Sequence, residues 1–263
     1  MNFKRIEVIF LVAFAILNVA LLGSLLWGTH FQGVSTQPQS QRTLTLKEMR
    51  NDMISYHPQS HQQRKGYYLS AKSNSLASRT SSLHGVSTRI DDDILEVTFD
   101  HPLELKDESD TAQYLQKVVN NRHQVIDGKK YAYNEALSTK HQVVFAQQVK
   151  GQPFESKEGQ IRFIINDKNE VTGYKQGELG SLKILRPRDM TVSESSAVIW
   201  LYKHNQIPNN SRVNSVLFGY SKLTSWHGQR VLIPTWLVNI KSKNGNNNSQ
   251  LKVNAFSGTQ IKD

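Results

Sequence analysis

The sequence predicts an α+β fold, an N-terminal transmembrane helix followed by an extracytoplasmic domain of helices laid on antiparallel sheets. Three observations carry that expectation. One long apolar stretch, Ile6 to Trp27, stands near the start. Beyond residue 43, alternating runs are separated by Asn, Asp, Gly and Pro turns, with short helical patterns between them. None of the 263 residues is cysteine, so packing rather than disulfides must hold the outer part.

The apolar stretch reads IEVIFLVAFAILNVALLGSLLW, with one early acid, Glu7, and no further charge until Arg42. About 20 apolar residues at ~1.5 Å rise cross a bilayer core of roughly 30 Å, and only a helix satisfies its own backbone there. Lys4 and Arg5 precede the run and no Lys or Arg closely follows it, which keeps the N-terminus cytoplasmic and the rest of the chain outside. Trp27 and Phe31 fall where the outer interface belongs. A cleaved signal peptide is the rival, but the run is long for one and no A-x-A site follows closely. Gly28 to Arg42, rich in Gly, Ser, Thr and Gln, reads as a flexible stalk. The expected divisions are therefore 1–27, 28–42 and 43–263.

Thr45 and Glu48 have capping-box spacing, and Leu46, Met49, Met53 and Ile54 follow at helical intervals, predicting a helix over about 45–55. Strands are expected at 66–71 and 94–99, the second stopped by Asp100 and Pro102. Two similar units are expected next. In 107–180 a helix over 107–121 carries Ala112, Leu115, Val118 and Val119 on one face. Strands follow at 131–137, 142–149, 161–166 and 171–176. In 190–263 a capping box at Thr191 and Glu194 opens a helix with Ala197, Val198 and Leu201. Strands follow at 213–222, 231–241 and 250–256, with Asn244 to Asn248 as a hairpin loop.

Of the net charge of +10, all but one positive charge belongs to the part from Arg42 onward. Such a surface meets membrane lipid head groups or an anionic wall polymer, or is simply solvated; nucleic acid is not expected outside the membrane. No catalytic constellation stands out, so no enzyme, metal or cofactor is expected. His57 and His61 are four apart, but Pro58 intervenes and no acid completes a site. Asp91, Asp92 and Asp93 lack the glycine turn of calcium loops. Ser249 and Lys252 have a serine–lysine spacing, but three residues apart on a strand they face opposite ways. Gly219-Tyr220-Ser221 is half of a nucleophile elbow. Trp200, Tyr202, Tyr220, Trp226 and Trp236 read mainly as core, with one or two available for docking. On the membrane helix, Asn18 is a polar amide in hydrocarbon, and Ala20 and Ser24 form a small-xxx-small pair. These three are the candidate helix–helix interaction residues.

The basic start MNFKRIEVIF, the helix stretch AILNVALLG, the stalk, and a cysteine-free outer domain ending VNAFSGTQI resemble the YycI (WalI) family. Asn254-Ala255-Phe256-Ser257-Gly258 resembles the closing pattern of PepSY-type domains. The resemblance implies a regulator of the sensor histidine kinase WalK (YycG), which governs cell-wall metabolism in low-GC Gram-positive bacteria. It further implies a YycH-like sister protein and contacts made largely through transmembrane helices. Other readings are a membrane-tethered PepSY-like module binding a protease or wall polymer, and an exported hydrolase.

Overall fold

The structure, a computed structural model, describes residues 10–19, 22, 39–105, 110–226, 228–243 and 248–262. It divides into two compact units, Met1–Glu48 and Met49–Asp263. In the first unit, residues 10–19 are helical, and Phe10, Leu11, Phe14, Ile16 and Leu17 are exposed. Among the described residues no helix is long and apolar enough to cross a membrane. Half of the expected span Ile6 to Trp27 lies outside the described residues. A helix Gln39–Asn51 starts inside the expected stalk, several residues before the expected helix. Thr45 is not its cap; its hydroxyl bonds back to the Gln41 carbonyl at 3.0 Å, as a mid-helix threonine does.

The second unit begins with β1 (Ser55–Tyr56), β2 (Lys65–Gly66), β3 (Leu69–Ser73), β4 (Val86–Asp91) and β5 (Ile94–Glu104). After the helix Thr111–Asn120 come β6 (Tyr131–Tyr133), β7 (Gln142–Val149), β8 (Gln152–Pro153), β9 (Gln160–Ile165), β10 (Glu170–Gln176), β11 (Leu179–Ile184) and β12 (Asp189–Met190). After the helix Glu194–Lys203 come β13 (Ser211–Trp226), β14 (Gln229–Ser242), β15 (Asn248–Asn254) and β16 (Gln260–Ile261). One sheet runs β4-β5-β10-β9-β7-β6, with β8 added to β7. The other runs β1-β13-β14-β15-β16, with β3 on β14 and β11 on β3. Strands β2 and β12 form a two-stranded ribbon. The mixed α+β class therefore holds.

The first sheet is built by alternation. Leu95, Val97 and Phe99 on β5, Ile161, Phe163 and Ile165 on β9, and Tyr174 on β10 face one core, and Leu115, Val118 and Val119 of the helix close it. Each such aliphatic side chain contributes about 1.5–3 kcal/mol of transfer free energy. Strand β5 runs on through Pro102 to Glu104, past the expected stop. The register to β10 slips there: Thr98 faces Gly173, and the next facing pair is Leu103 and Val171. Proline is tolerated in that slip because no ladder donor is demanded of it. The expected strand over 131–137 stops at Tyr133, and Glu135–Leu137 is a 3-10 turn capped by the Asn134 side chain.

In the second sheet, β14 is buried from Leu232 to Val238, so it is covered on both faces. Trp236 is 1% exposed, and its indole N–H donates to the Val192 carbonyl at 3.0 Å, at the entry to the helix Glu194–Lys203. The cap of that helix is Ser193, which accepts from the Ser196 N–H at 3.2 Å. Thr191, the expected cap, is instead buried against Arg64. In the closing motif, the Asn254 side chain accepts from the Phe256 N–H at 2.9 Å, and Gly258 takes φ +75°. Only glycine adopts that φ without strain.

Both helices are followed by antiparallel strands in chain order, β6-β7-β9-β10 after the first and β13-β14-β15-β16 after the second. The hairpin β7–β8 leads into Phe154, which bridges to Tyr220 on β13, and the Glu155 N–H donates to the Tyr220 carbonyl at 2.8 Å. One short segment thus joins the two sheets.

Candidate functional site

Of the three residues expected to mediate helix contacts, Asn18 lies within the described helical stretch and its side chain is exposed. Its amide donates to the Phe14 carbonyl one turn earlier at 2.7 Å. That bond occupies one of the two amide N–H groups. Ala20 and Ser24 lie outside the described residues.

In the second unit, a cleft of about 870 Å³ opens where the joining segment separates the sheets. Its walls come from the β4–β5 turn, residues 155–158, β9, and the ends of β13 to β16. Six cationic side chains (Lys157, Arg162, Lys222, Arg230, Lys252 and Lys262) and four carboxylates line it, an excess of two positive charges. Glu158 is held by Lys222 and Arg230, each at 3.2 Å, and Glu155 by Lys252 at 3.2 Å. Burial works to raise the Glu158 pKa, but its own backbone N–H and the two cations outweigh that and hold it below the ordinary carboxyl value. Asp92 and Asp93, both at positive φ, make the β4–β5 turn at the rim.

Arg162 differs from the other cations. It sits on the outward face of β9 in a row of directly facing residues across five strands: Arg89, Glu96, Lys175, Arg162 and Val144. Glu96 is taken by Lys175 and by Arg89, the latter at 2.9 Å. Arg162 therefore faces another cation on one side and valine on the other. Its buried Nε has no hydrogen-bond partner. Burial lowers its pKa despite the attraction of Glu158 and Glu96. Across the cleft lining, Ser156 is 8% exposed and its hydroxyl also has no partner. It stands at the start of the 3-10 turn Lys157–Gly159 without capping it. Sequence reasoning missed both residues. Neither belongs to a motif, and the facing of Arg162 by Lys175 exists only once β9 and β10 pair.

A second charged cluster is centred on a buried carboxylate. Glu178 is 2% exposed and accepts from Asn74 at 2.9 Å, Lys130 at 3.0 Å and Arg79 at 3.1 Å. Asp127 shares both cations, at 2.7 and 2.6 Å. Every charge in it is answered, so its role is to lock the loops around β11. Among the described residues no group of His, Asp and Glu is arranged to hold a metal ion. Gly219, Tyr220 and Ser221 lie in the middle of β13, with no nucleophile elbow.

The aromatic residues divide. Trp236 and Tyr220 are core, Trp200 stacks on His204 at 3.8 Å, and Trp226 is 73% exposed at the β13–β14 tip.

Comparison with known proteins places these features in context. The family model described as YycI protein matches residues 34–256. No curated protein matches the chain. Among solved structures, an uncharacterized protein from Eubacterium rectale is 11% identical, with 80% of this chain and 90% of that chain covered and a TM-score of 0.43. The YpeB C-terminal domain of Bacillus megaterium is also 11% identical, with 85% and 95% covered and a TM-score of 0.37.

Proposed function

The chain belongs to the YycI family, and from that membership we propose that it is a non-catalytic, single-pass membrane regulator of the WalK (YycG) sensor kinase system, acting with a YycH-like partner. The observation that carries the reading is the extent of the family match, residues 34–256, which takes in nearly all of the α+β unit. In this proposal Ile6 to Trp27 spans the cell membrane with the N-terminus cytoplasmic, and the α+β domain lies outside. The helix biases the kinase only if it binds one kinase state better than the other. The outer domain offers the partner a soluble interface of roughly 1,600 Å² in total. Two helix-then-meander segments support a duplicated, PepSY-like architecture.

The test reads a transcriptional reporter of the kinase pathway alongside membrane levels of each variant. Asn18→Leu removes the interhelical hydrogen bond proposed for this amide, worth about 0.5–2 kcal/mol, a shift of roughly 2- to 30-fold in a two-state equilibrium. A partial change in output is expected, and a further change when Ala20 and Ser24 are both replaced by Leu, which holds helices apart. Unchanged output in both variants at normal levels would reduce the helix to a passive anchor. The mixed-charge cleft favours a second reading, a tethered module binding a wall polymer, and co-purification of the full chain with the kinase separates the two.

A further inference from the structure

We propose that Arg162 and Ser156 form the centre of an oxyanion site, which takes a phosphate group of an anionic ligand entering the cleft between the two sheets. The inference stands apart from kinase regulation and rests on the second unit alone.

Three observations converge. The Arg162 Nε and the Ser156 hydroxyl are both buried, both without a partner, and both on the lining of one cleft. Two such unpartnered groups on one lining represent unspent hydrogen-bonding capacity, which folded proteins otherwise satisfy. The register puts Lys175 opposite Arg162 with no carboxylate in between, an arrangement that disfavours the empty sheet and favours an added anion. The glutamates around it are engaged, Glu158 by Lys222 and Arg230, Glu155 by Lys252, and Glu96 by Lys175 and Arg89, while Asp92 and Asp93 stay in the β4–β5 turn.

The chemistry selects the ligand. A planar guanidinium and a hydroxyl on one lining match the oxygens of a phosphate, and the positive excess of two in that lining matches a phosphate monoester or two neighbouring phosphodiesters. At about 870 Å³ the cleft is larger than one phosphate needs and within the range of organic-ligand sites. A glycerol phosphate or sugar phosphate unit therefore fits. Asp92 and Asp93 at the rim repel an anion that is not seated beyond them, which favours a ligand presenting its phosphate end-on.

The experiment follows thermal unfolding of the full-length chain in neutral detergent, with inorganic phosphate or glycerol phosphate replacing chloride at constant ionic strength. Wild type should show a saturable rise in midpoint. Arg162→Gln should weaken apparent phosphate affinity by about tenfold or more, and Ser156→Ala by a smaller factor, as expected for loss of charge-assisted and neutral hydrogen bonds. Without phosphate, Arg162→Gln should be at least as stable as wild type, because a half-buried cation facing Lys175 is gone. The proposal is overturned if both variants keep the full phosphate response, which would be a general salt effect. It is equally overturned if Arg162→Gln unfolds the chain and Ser156→Ala binds phosphate like wild type. Competition by soluble poly(glycerol phosphate) against phosphatidylglycerol nanodiscs then distinguishes a polymer from a lipid as the source of the phosphate.

Discussion

At the scale of single residues, the molecule uses a buried charge and a half-buried one in opposite ways. Glu178 is surrounded by donors and answered by two cations, whereas Arg162 is left with an open Nε. The first arrangement makes a sharp expectation. Glu178→Ala removes the acceptor for Asn74, Arg79 and Lys130. Arg79 and Lys130 are partly exposed and keep Asp127, so the loss should fall below the ~3–5 kcal/mol of a fully buried broken pair, at about 2 kcal/mol. Urea unfolding of the full-length chain measures it, and a change within about 0.5 kcal/mol of zero would make the cluster an ornament of the surface. Neither charge was legible beforehand. The sequence shows Arg162 as an ordinary polar residue of a run and Glu178 as one just past the expected strand at 171–176, because Glu178 meets Asn74, Arg79 and Lys130, and Arg162 faces Lys175, only in the folded chain.

At the scale of elements, local chemistry was readable and pairing was not. Strand β7 runs over Gln142–Val149 as expected, and β9 and β10, joined by a turn at Asp167-Lys168-Asn169, match the expected strands at 161–166 and 171–176. Errors gathered where a tertiary partner overruled a local signal. Thr191 left the cap position for a bond with Arg64, and β5 continued past Pro102 because the register to β10 slips there. Gly173 marks the same slip. A Cβ on it would lie 2.1 Å from the Val97 carbonyl oxygen, which is backbone and cannot turn aside. Gly173→Ala should therefore force β10 away from β5 and destabilise the unit by about 1–3 kcal/mol or more. Hydrogen exchange of the Val97 and Thr98 amides, compared with wild type, tests this directly, and unchanged protection would mean the slip has slack. Pro234, in contrast, costs β14 little. It stands between Leu232, the last residue paired to β3, and Thr235, the first paired to β15, where no neighbour asks for its missing N–H.

At the scale of the whole molecule, carboxylates set the response to acid. The Lys175 hydrogen bond holds Glu96 below the usual carboxyl range, the Lys130 hydrogen bond does the same for Asp127, and Glu158 is likewise lowered once its partners outweigh burial. A folded value beneath the unfolded one adds stability that is complete above the ordinary carboxyl range of about 4 and is lost as the pH falls through the lowered values. The unfolding midpoint of the full chain should thus hold steady from neutrality to about pH 5 and drop below about pH 4. A midpoint constant to pH 3 would mean the three pairs contribute nothing. The segment joining the sheets governs a different property. Phe154 is fully buried in a small core with Leu69, Val149, Leu179, Tyr220 and Leu232, drawn from both sheets. A joint of that kind resists shear. Sliding one sheet past the other would have to break the Phe154–Tyr220 bridge and open this core, so the joint couples the two sheets and, with them, the cleft walls they carry.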